Sequence, residues 1–119
     1  MAKYDMTLRG QWRLLLNGLQ TWLEILGYSE LAIPAILQGV LQFMIWLSEK
    51  EINSLDQLQA LHANEYMAQQ QLRLGQRTRR PLTTSFMNKQ IQALLLFSRY
   101  LRETGKYVTG FDLKRVEEQ

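Results

Sequence analysis

Ser85, Asn88, Lys89 and Gln92 recur at one-, three- and four-residue steps, the spacing that gathers side chains on one side of a helix. A hydroxyl, two amides and an ammonium offer donors, acceptors and positive charge, a set suited to recognising a polyanion without breaking bonds. Thr84 and Ser85 stand where that helix would begin, at its positive end. Just upstream lie Arg73, Arg77, Arg79 and Arg80, and further upstream Gln38 and Gln42 sit one turn apart, able to reach outward together.

Charge reinforces this reading. From Tyr66 to Arg102 there are seven positive charges, Arg73, Arg77, Arg79, Arg80, Lys89, Arg99 and Arg102, and no Asp or Glu. The rest of the chain holds seven basic and eleven acidic residues, a balance of −4. A basic segment in an otherwise acidic domain fits a protein that turns one face to a polyanion. The alternative is a solvated loop between two helices.

Other chemistries are poorly supplied. The chain has no Cys, which excludes disulfides, thiolate zinc sites and Cys nucleophiles. His62 is the single histidine, so multi-His metal sites and a Ser-His-Asp triad are not expected, and no cofactor is. His62 reads instead as a loop residue or weak cap.

Helices must position these residues. With two prolines, seven glycines and long apolar periodicity, the 119 residues predict an all-α domain of four main helices. The first runs from about Leu8 to Leu26, with Leu15, Leu16, Leu19, Trp22, Leu23 and Leu26 as its apolar stripe and Gly27 closing it. Ser29 caps the second, Pro34 falls in its first turn, and it ends near Ser48. Its inner stripe is Ile33, Leu37, Val40, Met44 and Leu47, flanked by Phe43 and Trp46.

Leu55, Leu58 and Leu61 suggest a short turn of helix covering the core edge. A third helix follows from about Ala63 to Leu74, lined by Tyr66, Met67 and Gln70 and closed by Gly75, with Gln76 to Pro81 as a basic loop. Thr83 or Thr84 caps the last helix, which buries Met87, Ile91, Leu94, Phe97 and Leu101 and stops at Gly105. Residues 107–119 are weakly patterned and read as a linker or a short docking helix.

One core is what this length supports. The apolar stretch Leu31 to Leu47 is broken by Pro34, Gln38, Gly39 and Gln42 and falls short of the roughly 20 residues of a membrane span. The first residues lack the apolar run of an export signal, so a cytoplasmic setting without membrane contact is the expectation.

Two stretches carry a family resemblance. Gly27-Tyr28-Ser29 through Phe43-Met44-Ile45-Trp46-Leu47 resembles a pattern of capping Ser, apolar ladder and Phe-x-x-Trp-Leu. Leu82-Thr83-Thr84-Ser85-Phe86-Met87-Asn88-Lys89, continuing through Ala93-Leu94 and Phe97 to Tyr100-Leu101, resembles Leu-Ser-x-x-Thr-Ile-Asn-(Arg/Lys) with its Ala-Leu and Phe-x-x-Tyr-Leu ending. Together, over about residues 12 to 106, they resemble the N-terminal core-binding, SAM-like domain of tyrosine recombinases, the phage integrase and Xer family. Ala32, Pro34 and Leu41 depart from it where polar or basic residues are common, and the family's Asn-Pro after the last helix is missing.

The resemblance implies a four-helix SAM-like bundle of two crossed helical hairpins. It implies a DNA-binding domain over residues 7–107, with 108–119 leading toward a C-terminal catalytic domain that this chain lacks. Its implied partners are double-stranded DNA, that catalytic domain and other protomers of a recombining tetramer. Tyr4, Tyr28, Tyr66, Tyr100 and Tyr107 have no His-Arg constellation near them to activate a phosphotyrosine-forming attack, so binding without cutting is expected.

On such a module, Thr84, Ser85, Asn88, Lys89 and Gln92 can meet a phosphate and a base edge. Arg73, Arg77, Arg79 and Arg80 suit phosphates, and Gln38 and Gln42 are the matching candidates on the second helix. The rival reading is a helical protein-interaction module with no nucleic-acid partner, anchored by Leu41, Ile45 and Leu96, which the periodicity leaves toward the outer sides of their helices.

Overall fold

The computed structural model describes residues 11–78, 84–107, 110, 111 and 113, leaving aside the side chains of 71–84. Four helices follow one another, α1 (Gln11–Ile25), α2 (Ala32–Glu49), α3 (Leu61–Thr78) and α4 (Thr84–Glu103), and the described residues include no strand. The all-α architecture is the one the periodicity predicts.

Capping explains where three of the helices stop. After α1, Gly27 adopts φ 90°, its N–H donates to the Glu24 carbonyl, and the Tyr28 N–H donates to Leu23. Gly105 (φ 71°) repeats the pattern after α4, with N–H groups of Gly105 and Lys106 donating to Arg102 and Leu101. Both are Schellman closures, in which a left-handed residue lets the chain turn back to satisfy the last carbonyls. After α2 the left-handed residue is Glu51 (φ 64°), with Glu51 and Ile52 N–H groups donating to Ser48 and Leu47. At the start of α2, the Ser29 hydroxyl accepts the Ala32 N–H at 3.0 Å, and Pro34 falls in the first turn.

The start of α1 is tied to the chain just after α2. The Trp12 indole N–H donates to the Ile52 carbonyl at 2.7 Å, and the Gln11 side-chain oxygen accepts the Leu55 N–H at 2.7 Å. The two helices are therefore antiparallel. Trp12, Leu15, Leu16, Leu19 and Leu23 form the buried stripe of α1, whereas Leu26, expected on that stripe, lies beyond the helix end and is 44% exposed.

α2 is the central element, packed most extensively on α4 and then on α1, with α3 against its later turns. At its crossing with α4, a Cβ placed on Gly39 would lie 2.8 Å from the Cβ of Ala93, so the backbones meet through the missing side chain. Enclosure on several sides buries more of each helix than one amphipathic stripe. Leu41 and Leu96, expected outside, are each 5% exposed and belong to the core, and Ile45 is half-buried. By length and composition α2 could cross a membrane, contrary to the estimate from Leu31 to Leu47, while half of it is buried in the bundle.

Around Tyr66, α3 joins the core by aromatic contact. Its ring lies 5.2 Å from Phe43 and 5.7 Å from Trp46, and the Trp46 indole N–H donates to the Gln69 side chain at 3.0 Å. The helix does not end at Leu74; it runs through Gly75 to Thr78, so Gln76, Arg77 and Thr78 are helical rather than loop. A glycine interrupts a helix at a cost of only about 1 kcal/mol, far less than the steric stop imposed by a proline, and the first such stop is at Pro81. Leu61, expected over the core edge, opens α3 and is 58% exposed, while Leu58 is buried.

The chain after α4 returns to the core. Phe111, within the segment expected to be a linker or a short docking helix, docks without being helical: it is 7% exposed and packs edge-on against Phe43 and Phe97 at 5.9 and 6.3 Å. Its N–H donates to the buried Ser98 hydroxyl at 3.0 Å, and the Tyr107 hydroxyl donates to the Leu58 carbonyl at 2.9 Å.

Candidate nucleic-acid interface

The candidates fall into three groups. On α4, Ser85, Lys89 and Gln92 are exposed and Asn88 is half-buried, all in the first three turns. Thr84 is the first residue of the helix. This stretch of α4 is amphipathic, with Met87, Ile91 and Leu94 holding the opposite side in the core. The polar stripe ends at Ala93, beyond which Ala93, Leu94, Leu96, Phe97, Ser98, Tyr100 and Leu101 are all buried.

On α2, Gln38 and Gln42 are exposed, together with Pro34 and Ala35 one turn earlier. Helical spacing places all four on one outward stripe. From Ala32 to Ser48 the helix has no charged residue. Gln38 and Gln92 each adjoin the crossing pair Gly39 and Ala93, so their Cα atoms lie no more than about 14 Å apart, given about 3.8 Å per step along the chain. The α2 and α4 stripes therefore border one helix crossing.

The third group comprises the arginines. Arg73 and Arg77 are four residues apart within α3, a rigid element rather than the loop expected for Arg77. Arg79 and Arg80 lie outside the described residues.

At the other end of the basic segment, charge is partly engaged. The Arg99 Nε donates to the Glu103 carboxylate at 3.0 Å while its guanidinium lies 5.6 Å over the Trp22 ring. Lys89 has no acidic residue within a helical turn on either side of it in sequence. Of the other basic residues in the acid-free segment, Arg73 and Arg77 fall in the second half of α3 and Lys89 in the second turn of α4.

Gln90 escaped the sequence reading. Its side-chain oxygen is buried without a hydrogen-bond partner and faces the α2–α4 crossing, 3.7 Å from where a Gly39 Cβ would stand. Its position between Met87 and Ile91, two core residues, was the available signal.

Burial pushes the Tyr100 and Tyr107 hydroxyls up from their ordinary value, away from the ionisation a nucleophile needs. His62 Nδ1 accepts the Gln59 N–H at 2.9 Å, a capping contact at the start of α3. No group of three or more His, Cys, Asp or Glu among the described residues comes together to hold a metal ion. The large aromatics Trp12, Phe43 and Phe97 are fully buried and Trp46 nearly so, and so do not offer a stacking platform for bases.

What the arrangement can do is bind. Helix-borne hydroxyl, amide and ammonium groups border the crossing of two helices, and in sequence they follow a run of arginines, a set that suits recognition of an extended anionic surface. No protein-family model, curated protein or solved structure matches the chain.

Proposed function

We propose that this chain is the DNA-binding module of a site-specific tyrosine recombinase or integrase, a SAM-like core-binding domain that clamps one face of the recombination-site duplex. The catalytic residues belong to a separate C-terminal domain, and the module itself binds without cutting. The reading is supported above all by the acid-free basic segment, of which Arg73 and Arg77 fall within α3 and Lys89 is exposed on α4. Arg73, Arg77, Arg79 and Arg80 supply phosphate affinity, while Ser85, Asn88, Lys89 and Gln92 approach the duplex from α4. The rival protein-interaction reading loses Leu41 and Leu96 to the core.

Phosphate binding releases counterions, so affinity must fall with salt in proportion to the number of contacts. In a fluorescence-anisotropy titration of a labelled duplex, Arg77→Ala/Arg79→Ala/Arg80→Ala should flatten the log–log salt slope by about two to three and Lys89→Ala by about one. Absence of binding at low salt, or binding that ignores salt, would refute the proposal.

A further inference from the structure

Two exposed stripes flank the α2–α4 crossing, and their chemistry differs. The α4 stripe carries Lys89 and follows the arginines in sequence. The α2 stripe, Ala35, Gln38 and Gln42, is exposed and wholly uncharged, on a helix with no charged residue before Glu49. Such a face has nothing with which to hold phosphates by charge. It does present what an A·T pair asks for in the major groove: a side-chain amide pairs bidentately with adenine N6 and N7, and an alanine methyl packs on the thymine methyl. Neither a carboxylate for cytosine nor a guanidinium for guanine is present on it.

The spacing agrees as well. Gln38 and Gln42 are separated by about 6 Å of helix rise. Two base-pair steps span roughly 6.8 Å at about 3.4 Å each. Ala35 precedes Gln38 by one turn, so methyl and amide can address the same or adjacent pairs.

We propose that the Ala35–Gln38–Gln42 stripe of α2 is a major-groove reader of A·T base pairs, while Lys89 and the arginines hold the backbone without regard to sequence. This rests on the DNA-binding reading above and adds the sequence class that the module prefers. It divides the work between a charged element that sets affinity and a neutral one that sets selectivity.

The test is a competition assay with the full chain and three duplexes of equal length, one of mixed A·T sequence, one of G·C, and the A·T duplex with 7-deazaadenine in place of adenine. Replacing N7 by carbon deletes the major-groove acceptor and leaves the minor-groove edge intact. Wild type should prefer the A·T duplex about tenfold over G·C, the size of one good amide–adenine pair. The deaza duplex should lose most of that preference. Gln38→Ala/Gln42→Ala, changes at exposed positions, should abolish the preference and keep the salt slope, whereas Lys89→Ala should lower affinity for all three duplexes and keep the preference.

Equal binding of A·T and G·C by wild type overturns the assignment, as does a preference that survives the glutamine substitutions or the deaza replacement. Failure of the DNA-binding reading looks different, since no duplex would then bind at low salt.

Discussion

A single backbone dihedral at Glu51 makes the sharpest residue-level statement about stability. Gly27 and Gly105 close their helices in the left-handed region at little cost, and both were legible in the sequence because glycine is the residue that region favours. Glu51 does the same after α2 with a side chain in the way, and nothing about a glutamate announces it. A left-handed conformation costs a non-glycine residue roughly 1–2 kcal/mol. Glu51→Gly should therefore stabilise the fold by about 1 kcal/mol, offset in part by the greater freedom of an unfolded glycine. Denaturant unfolding should show a higher midpoint with an unchanged slope; a lower midpoint would mean that the Glu51 side chain makes a contact worth more than the strain. Ser29 was legible too, because a serine before an apolar ladder has few other uses than to receive the N–H that the first turn leaves unpaired.

Helix contacts are less legible, since periodicity tells which side of a helix is apolar and not how many neighbours will cover it. Leu41 and Leu96 were misjudged for this reason. α2 is enclosed by three helices, and the later turns of α4 are covered almost all round. Close approach is bought with small residues at two places. Gly39 faces Ala93, and a Cβ on Gly18 would run into the Tyr100 hydroxyl, which lies against the backbone of α1. Gly18→Ala should cost about 1–3 kcal/mol as overpacking. In a Tyr100→Phe background most of that clash is gone, and the same alanine should stabilise by up to about 1 kcal/mol through helix propensity. The reversal of sign in this double-mutant cycle is the check; a loss of the same size in both backgrounds would mean the crowding lies elsewhere. Phe111 was missed for a related reason: a lone aromatic in an unpatterned tail gives no period to read, yet it fills a slot between Phe43 and Phe97. Phe111→Ala should cost about 3 kcal/mol, the lower end for a buried phenylalanine. A thermal melt that shifts by less than about 2 °C would show the tail to be an ornament on an independent bundle.

At the scale of the whole molecule, charge is sorted along the fold. Glu49, Glu51, Asp56 and Glu65 cluster in sequence around the end of α2 and the start of α3, and α3 then carries the chain about 27 Å to its basic end, at 1.5 Å per residue. The asymmetry between segments was plain in the sequence, as was the helical place of Arg73 and Lys89; that of Arg77 was not, because Gly75 reads as a stop and α3 runs on to Thr78. A basic region held on a rigid element fixes the spacing of its charges before any partner arrives, which reduces the ordering cost of binding. The central claim is that the duplex lies against this end and the adjoining α2–α4 crossing. Backbone amide chemical-shift mapping of the full chain against a short duplex tests it most directly. The account predicts shifts at Gln38, Gln42, Ser85, Lys89 and Gln92 and in the last turns of α3, with Asp56 and Glu65 silent. Shifts confined to the acidic end, or to the exposed Ile25 and Leu31 at the α1–α2 turn, would contradict it.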